Sequence, residues 1–171
     1  NIGDDAGGLQ LGVLNIATKV RGMQFGVVNI AEEADGESFG LLNIIGNGIH
    51  DVAFTTTDVM ATNLAVKLGS RRLYTSIMAA YHPGDELVTA AGQPMRYGRD
   101  NQRFGYGFGV GWRFPVEWGR LAYLELEGSA ISLRREIGIT GDDLPLLTAL
   151  RLTAGVRLAS HLTLLVGAGA N

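Results

Sequence analysis

The sequence predicts an all-β fold, an antiparallel transmembrane β-barrel built as a meander. About ten strands fall in these 171 residues, with roughly twelve or more expected in the complete barrel. Three observations point there. The chain opens with a 14-residue repeat whose units have strand length. Later segments set continuous apolar faces against faces of glycine and charge. The long connections all fall on one side of the meander.

Composition bounds the reading. At 18.2 kDa the chain suits one domain, 1–171. Charged residues are 18%, below the usual ~25%, and the 25 glycines are about twice the usual ~7% share. With only 4 prolines it is neither collagen nor a flexible linker. The absence of cysteine excludes disulfides, thiolate metal ligands and cysteine nucleophiles together. A net charge of −3, from 14 basic and 17 acidic side chains, argues against a nucleic-acid partner. No apolar run approaches the ~20 residues of a membrane helix. The first residues, NIGDDAGG, show neither a basic nor an apolar leader segment, so any secretory signal is expected to be already removed.

Residues 1–48 are the repeat region. GLQLGVLNIA (8–17), GMQFGVVNIA (22–31) and GESFGLLNII (36–45) align with Gly12, Gly26 and Gly40 in register, and with Asn15, Asn29 and Asn43 in register. Asn1-Ile2 lies one period before Asn15-Ile16, so the chain is expected to continue upstream. Each unit holds about ten β-favouring residues and a polar tetrapeptide, which suits a tilted membrane strand of ~9–11 residues and a tight turn. Leu9, Leu11 and Val13 alternate with Gln10, Gly12 and Leu14; the alternation fails at Asn15, where a bulge would restore it. A β-solenoid coil is the competing reading, since glycine and asparagine at fixed positions also suit solenoid corners. It ranks second because the rest of the chain abandons the period.

Residues 49–171 supply the remaining strands. Segments 49–57 and 61–69 read as a pair, followed by 72–81. In 104–114 the large residues Phe104, Tyr106, Phe108, Val110, Trp112 and Phe114 share one face, while Gly105, Gly107, Gly109, Gly111 and Arg113 share the other. In 120–134, Leu124 and Leu126 oppose Tyr123, Glu125 and Glu127. In 147–159, Leu150 and Leu152 oppose Arg151, Thr153 and Arg157. Residues 162–171 close the list. Apolar-out, polar-in alternation is the signature of a membrane barrel. Short connections at 18–21, 46–48, 70–71, 115–119 and 160–161, with long ones at 82–102 and 135–146, give the parity of periplasmic turns and external loops.

The repeat units resemble those of bacterial surface-repeat proteins, in which GxQxGxxNxA recurs ahead of a β-rich part. The resemblance covers about the first 45 residues. With the later pattern it implies an outer-membrane β-barrel protein in the bacterial outer membrane and carries no catalytic chemistry.

The expected site is therefore a lumen. Lys67, Arg113, Glu125, Glu127, Arg151 and Arg157 are expected to face it, pairing with one another or lining a water-filled path. The outward residues Phe104, Tyr106, Phe108, Trp112, Phe114, Leu124, Leu126, Leu150 and Leu152 are expected to meet lipid. The functional expectation is a porin-like channel or structural scaffold whose external loops contact other envelope proteins. The alternative is a soluble or surface-attached β-repeat binding module, a solenoid plus a sandwich. No enzyme, metal or cofactor is expected: His50, His82 and His161 lie at turns without ligand spacing, and His50-Asp51 with Ser76 or Ser129 offers only the residue types of a hydrolase.

Overall fold

The computed structural model describes residues 1–57, 60–83, 102–134 and 143–170, and most of the expected long loops, 84–101 and 135–142, lie outside them. Every regular element among these residues is a strand. The repeats do not form single membrane strands. Each unit bends at its Gly-x corner into two short strands, and successive units stack in parallel. Strands β1 (Ile2–Ala6), β3 (Leu14–Val20), β5 (Val28–Ala34) and β7 (Leu42–Ile45) form one sheet. Strands β2 (Leu9–Leu11), β4 (Met23–Phe25) and β6 (Glu37–Phe39) form the facing one. Asn15 pairs with Asn29, Asn29 with Asn43, and Ile16 with Ile30, so each residue stands on its equivalent one period away. This is a β-solenoid of about three turns.

The physical reason is the asparagine ladder. Asn15, Asn29 and Asn43 are fully buried between the sheets. Asn15 Nδ2 donates to Asn29 Oδ1 at 2.8 Å and to the Phe25 carbonyl at 2.9 Å. Asn29 Nδ2 donates to Asn43 Oδ1 at 2.7 Å and to the Phe39 carbonyl at 3.0 Å. Both amide protons are thus used, and the buried corner carbonyls are satisfied. A second ladder runs through Gln10, Gln24 and Ser38. Gly26 is required at its corner: a Cβ there would strike the Gly12 carbonyl oxygen and lie 2.7 Å from Asn15 Nδ2. The small apolar core beside the amides is Ala6, Ala17, Val20, Ala31, Ala34 and Ile45. Leu9, Leu11, Val13 and Ile44 point outward and are exposed.

From residue 49 the chain turns antiparallel. Strands β8 (Ile49–Thr55), β9 (Thr62–Gly69), β10 (Leu73–His82), β11 (Arg103–Trp118), β12 (Leu121–Arg134), β13 (Asp143–Ala159) and β14 (Leu162–Ala170) form a seven-stranded sheet in chain order. The solenoid docks on it through β9 and β10. Asn43 Nδ2 donates to Thr75 Oγ1 at 3.2 Å, which makes Thr75 the next rung of the ladder. Glu37 accepts from the Ser70 hydroxyl and, at 3.2 Å, from the Leu73 amide.

The expected transmembrane barrel is overturned at closure. The sheet curves into a half-barrel but stays open, because among the described residues β8 and β14, its two edges, pair with no further strand and not with each other. The ten-strand count fails for the same region where the repeat was read as strands: a seven-stranded antiparallel sheet and two parallel solenoid sheets replace one meander. Two boundaries also move. Strand β13 begins at Asp143, within the expected 135–146 loop. Strand β11 runs through the expected 115–119 turn to Trp118, absorbing Pro115 by a register shift, and the chain reverses at Gly119 with φ +60°.

Replacing Asn29 by alanine removes three hydrogen bonds from a dry interior. A stability loss of about 2–3 kcal/mol in denaturant unfolding is expected at roughly 1 kcal/mol per bond. A loss below ~0.5 kcal/mol would show that the ladder contributes no net stability.

Candidate functional site

The concave side of the half-barrel is built by one residue in two from each strand. Cross-strand registers bring Asp51 opposite Lys67, Lys67 opposite Ser76, Gly111 opposite Tyr74 and Glu127, and Arg113 opposite Glu125. Of the six expected lumen residues, Lys67, Arg113, Glu125 and Glu127 come together on this face. Lys67 Nζ lies 2.6 Å from Glu125 Oε2 and 3.7 Å from Glu127 Oε2. Arg113 Nε donates to the other oxygen of Glu125 at 2.8 Å, and its Nη2 reaches Asp51 Oδ2 at 2.5 Å. Glu125 is 1% exposed, and the two cations bound to it offset the cost of burying a carboxylate.

Arg151 lies on the same face but turns toward Ser129 Oγ at 3.2 Å and Met78 Sδ at 3.8 Å. Arg157 stands apart, beside Pro115, Val116 and Arg120 near the turn, and its amide donates to the Arg120 carbonyl. The expected lumen is instead an open trough of about 1160 Å³ between the two edge strands. Lys67, Arg113, Arg151 and Asp51 reach its wall; Ala53, Met60, Ile131, Leu147 and Leu165 give it an apolar part.

The sequence reading missed Asp51, Tyr74 and Tyr123 as members of this cluster. Tyr74 is fully buried, with its hydroxyl 3.3 Å from Lys67 Nζ and its ring 4.8 Å beneath that ammonium. The Arg113 guanidinium stacks 4.0 Å from the Tyr123 ring centre. The signal for Tyr74 was the glycine column on β11. Gly111 leaves the space the Tyr74 ring fills, and a Cβ there would collide with the ring. Of the hydrolase residue types, Asp51 is bound to Arg113 and Ser129 accepts from Arg151. Among the described residues no group of acidic or histidine side chains is arranged to hold a metal ion.

Burial shifts the titration of these groups. Desolvation, reinforced by the carboxylates of Glu127 and Glu125, holds the Tyr74 phenol far above its ordinary range. Desolvation also raises Tyr123, against the opposing pull of Arg113. Burial disfavours the Arg113 charge, but Glu125 and Asp51 outweigh it and keep the guanidinium above its ordinary value.

The expected lipid-facing residues occupy the convex side. Tyr106, Phe114, Leu126, Leu150 and Leu152 are exposed there, and Phe104, Phe108, Trp112 and Leu124 are half-exposed. Cross-strand registers make them one surface: Trp112 faces Leu126, which in turn faces Leu152, and Phe114 faces Leu124.

Glu125→Gln leaves Lys67 and Arg113 without their shared counter-charge, and a loss of about 3–5 kcal/mol is expected in chemical denaturation. A loss under ~1 kcal/mol would show that Asp51 and Glu127 suffice. A pH consequence follows from the tyrosines. Their pKa values are raised in the folded state, so the stability they add is complete below the unfolded value of ~10 and falls as pH rises past it. In an ultraviolet absorbance titration Tyr74 and Tyr123 are expected to ionise only as the protein unfolds; normal ionisation of all five tyrosines in the folded chain would refute the burial argument.

No family model, no curated protein and no solved structure matches this chain, so its site is read from its own chemistry.

Proposed function

We propose that this protein is a surface-attached β-repeat binding module, with the trough as its binding site and the solenoid as a stiff arm. The observation that carries this reading is the opposite chemistry of the two sides of one sheet. The concave side gathers buried charge around a cavity large enough for a small molecule, slightly above the ~300–1,000 Å³ range of ligand sites. The convex side presents Tyr106, Phe114, Leu126, Leu150, Leu152 and Leu164 to the outside. Contiguous exposed apolar surfaces mark sites of protein or membrane contact.

The occupant proposed for the convex side is membrane lipid, and the resemblance of the repeats to those of bacterial surface proteins points to the outer membrane of a bacterium. Aromatic side chains support this choice. Tyr106, Trp112 and Trp118 on β11 are of the residue types enriched where protein meets the membrane–water interface. The edges of β8 and β14, unpaired among the described residues, argue against immersion, since open sheet edges are not tolerated in hydrocarbon. Attachment at the interface layer satisfies both constraints.

Vesicle flotation tests the attachment. The wild-type chain is expected to float with phospholipid vesicles, and Leu126→Glu, Leu150→Glu and Leu152→Glu together are expected to leave it at the bottom of the gradient with its strand circular dichroism intact. Flotation of the triple variant to the wild-type extent, or none by the wild type, would overturn it.

A further inference from the structure

Of the three cations on the trough wall, Arg151 differs from Lys67 and Arg113. Among the described residues no carboxylate lies within ion-pair distance of it. Its cross-strand neighbour is Glu127, yet the Glu127 carboxylate lies by Lys67 instead. Arg151 spends one nitrogen on Ser129 Oγ and Met78 Sδ. A guanidinium carries five N–H donors in a planar fork suited to carboxylate or phosphate, so most of that fork is unused. Half-burying such a group without a counter-ion is costly, and a bound anion would relieve the cost.

The surroundings give the rest of the ligand. Met78, which Arg151 touches, belongs to an apolar cluster with Ala53, Met60 and Ile131, and Leu147 and Leu165 pack against it. Arg151 and Leu147 are four residues apart on one face of β13, about 13 Å at the rise of a strand. Among the described residues the trough therefore offers, in Arg151, a cation without a counter-charge, and an apolar floor running away from it along the strands. Glu125 and Glu127 lie beneath the wall and do not line it; Asp51, which does, is occupied by Arg113.

We propose that the trough binds an amphipathic anion: an anionic head seated on Arg151, and an apolar chain lying over Met60, Ile131, Leu147 and Leu165. This rests on the trough being the binding site and names the class of ligand it takes.

The chain contains no cysteine, so a Thr55→Cys variant bearing a polarity-sensitive dye reports from the trough rim and not from the convex face. Dodecanoate is expected to give a saturable response, at least tenfold stronger in affinity than dodecanol, with butanoate silent. Arg151→Met is expected to lose at least tenfold for dodecanoate and nothing for dodecanol, and Arg151→Lys to recover most of the loss. Competition by phosphatidylglycerol vesicles and not by phosphatidylcholine vesicles would identify a membrane lipid as the source of the anion; competition by neither supports a free amphiphile. Equal binding of dodecanoate and dodecanol, unchanged by Arg151→Met, would overturn the anion while leaving the trough as a site. Silence of the dye toward every probe would overturn the trough itself.

Discussion

Two ion pairs that skip strands shape the sheet. Lys67 on β9 reaches Glu125 on β12, and Asp51 on β8 reaches Arg113 on β11. In a flat sheet, strands three positions apart are separated by about 14 Å, too far for these side chains to bond comfortably across an intervening surface. They meet because the sheet curls and because nothing bulky stands between. Gly107, Gly109 and Gly111 on β11 remove the side chains that would block the span, and Tyr74 fills the remainder. Curvature, the trough and the burial of Glu125 are thus one arrangement. Each cation is retained by a carboxylate, and each carboxylate by the curl that brings a cation to it.

Much of this was legible in the sequence. The two-residue alternation in 104–114, 120–134 and 147–159 assigned charges and glycines to one face because a strand has no other way to place them. Closure was not legible. The apolar-out pattern of a half-barrel is that of a barrel, and only strand pairing at β8 and β14 distinguishes them. The repeat misled for a local reason. Ten apolar residues with a break at Asn15 read equally as a bulged strand or as a corner followed by a second strand. The decisive signal was that asparagine, and not merely a polar residue, recurs each period. An amide can donate to and accept from its own copy in the next coil, which a bulge would not need. Asp51 escaped notice as the partner of Arg113 because the two lie three strands apart, a separation that periodicity does not report.

The interior of this molecule holds much polar chemistry, and many large apolar residues lie on its outer surface. Amides fill the solenoid, an ion-pair cluster fills the concave face, and large apolar residues lie outside on both. In water alone that distribution would be expensive, since every exposed leucine forgoes the ~25 cal/mol per Å² of burial. The ladders and ion pairs satisfy most of that polar interior from within.

The ladder also has a direction. Asn1 donates to Asn15, Asn15 to Asn29, Asn29 to Asn43, and Asn43 to the Thr75 hydroxyl, which passes its own proton to a backbone carbonyl such as that of Leu41. The ladder joins the sheet at the last coil, and every earlier rung meets its own copy one period away. Whole coils can therefore be gained or lost by duplication or deletion of 14-residue blocks without disturbing the junction at Thr75. The length of the arm and the chemistry of the trough are free to vary independently, the first by copying, the second by substitution.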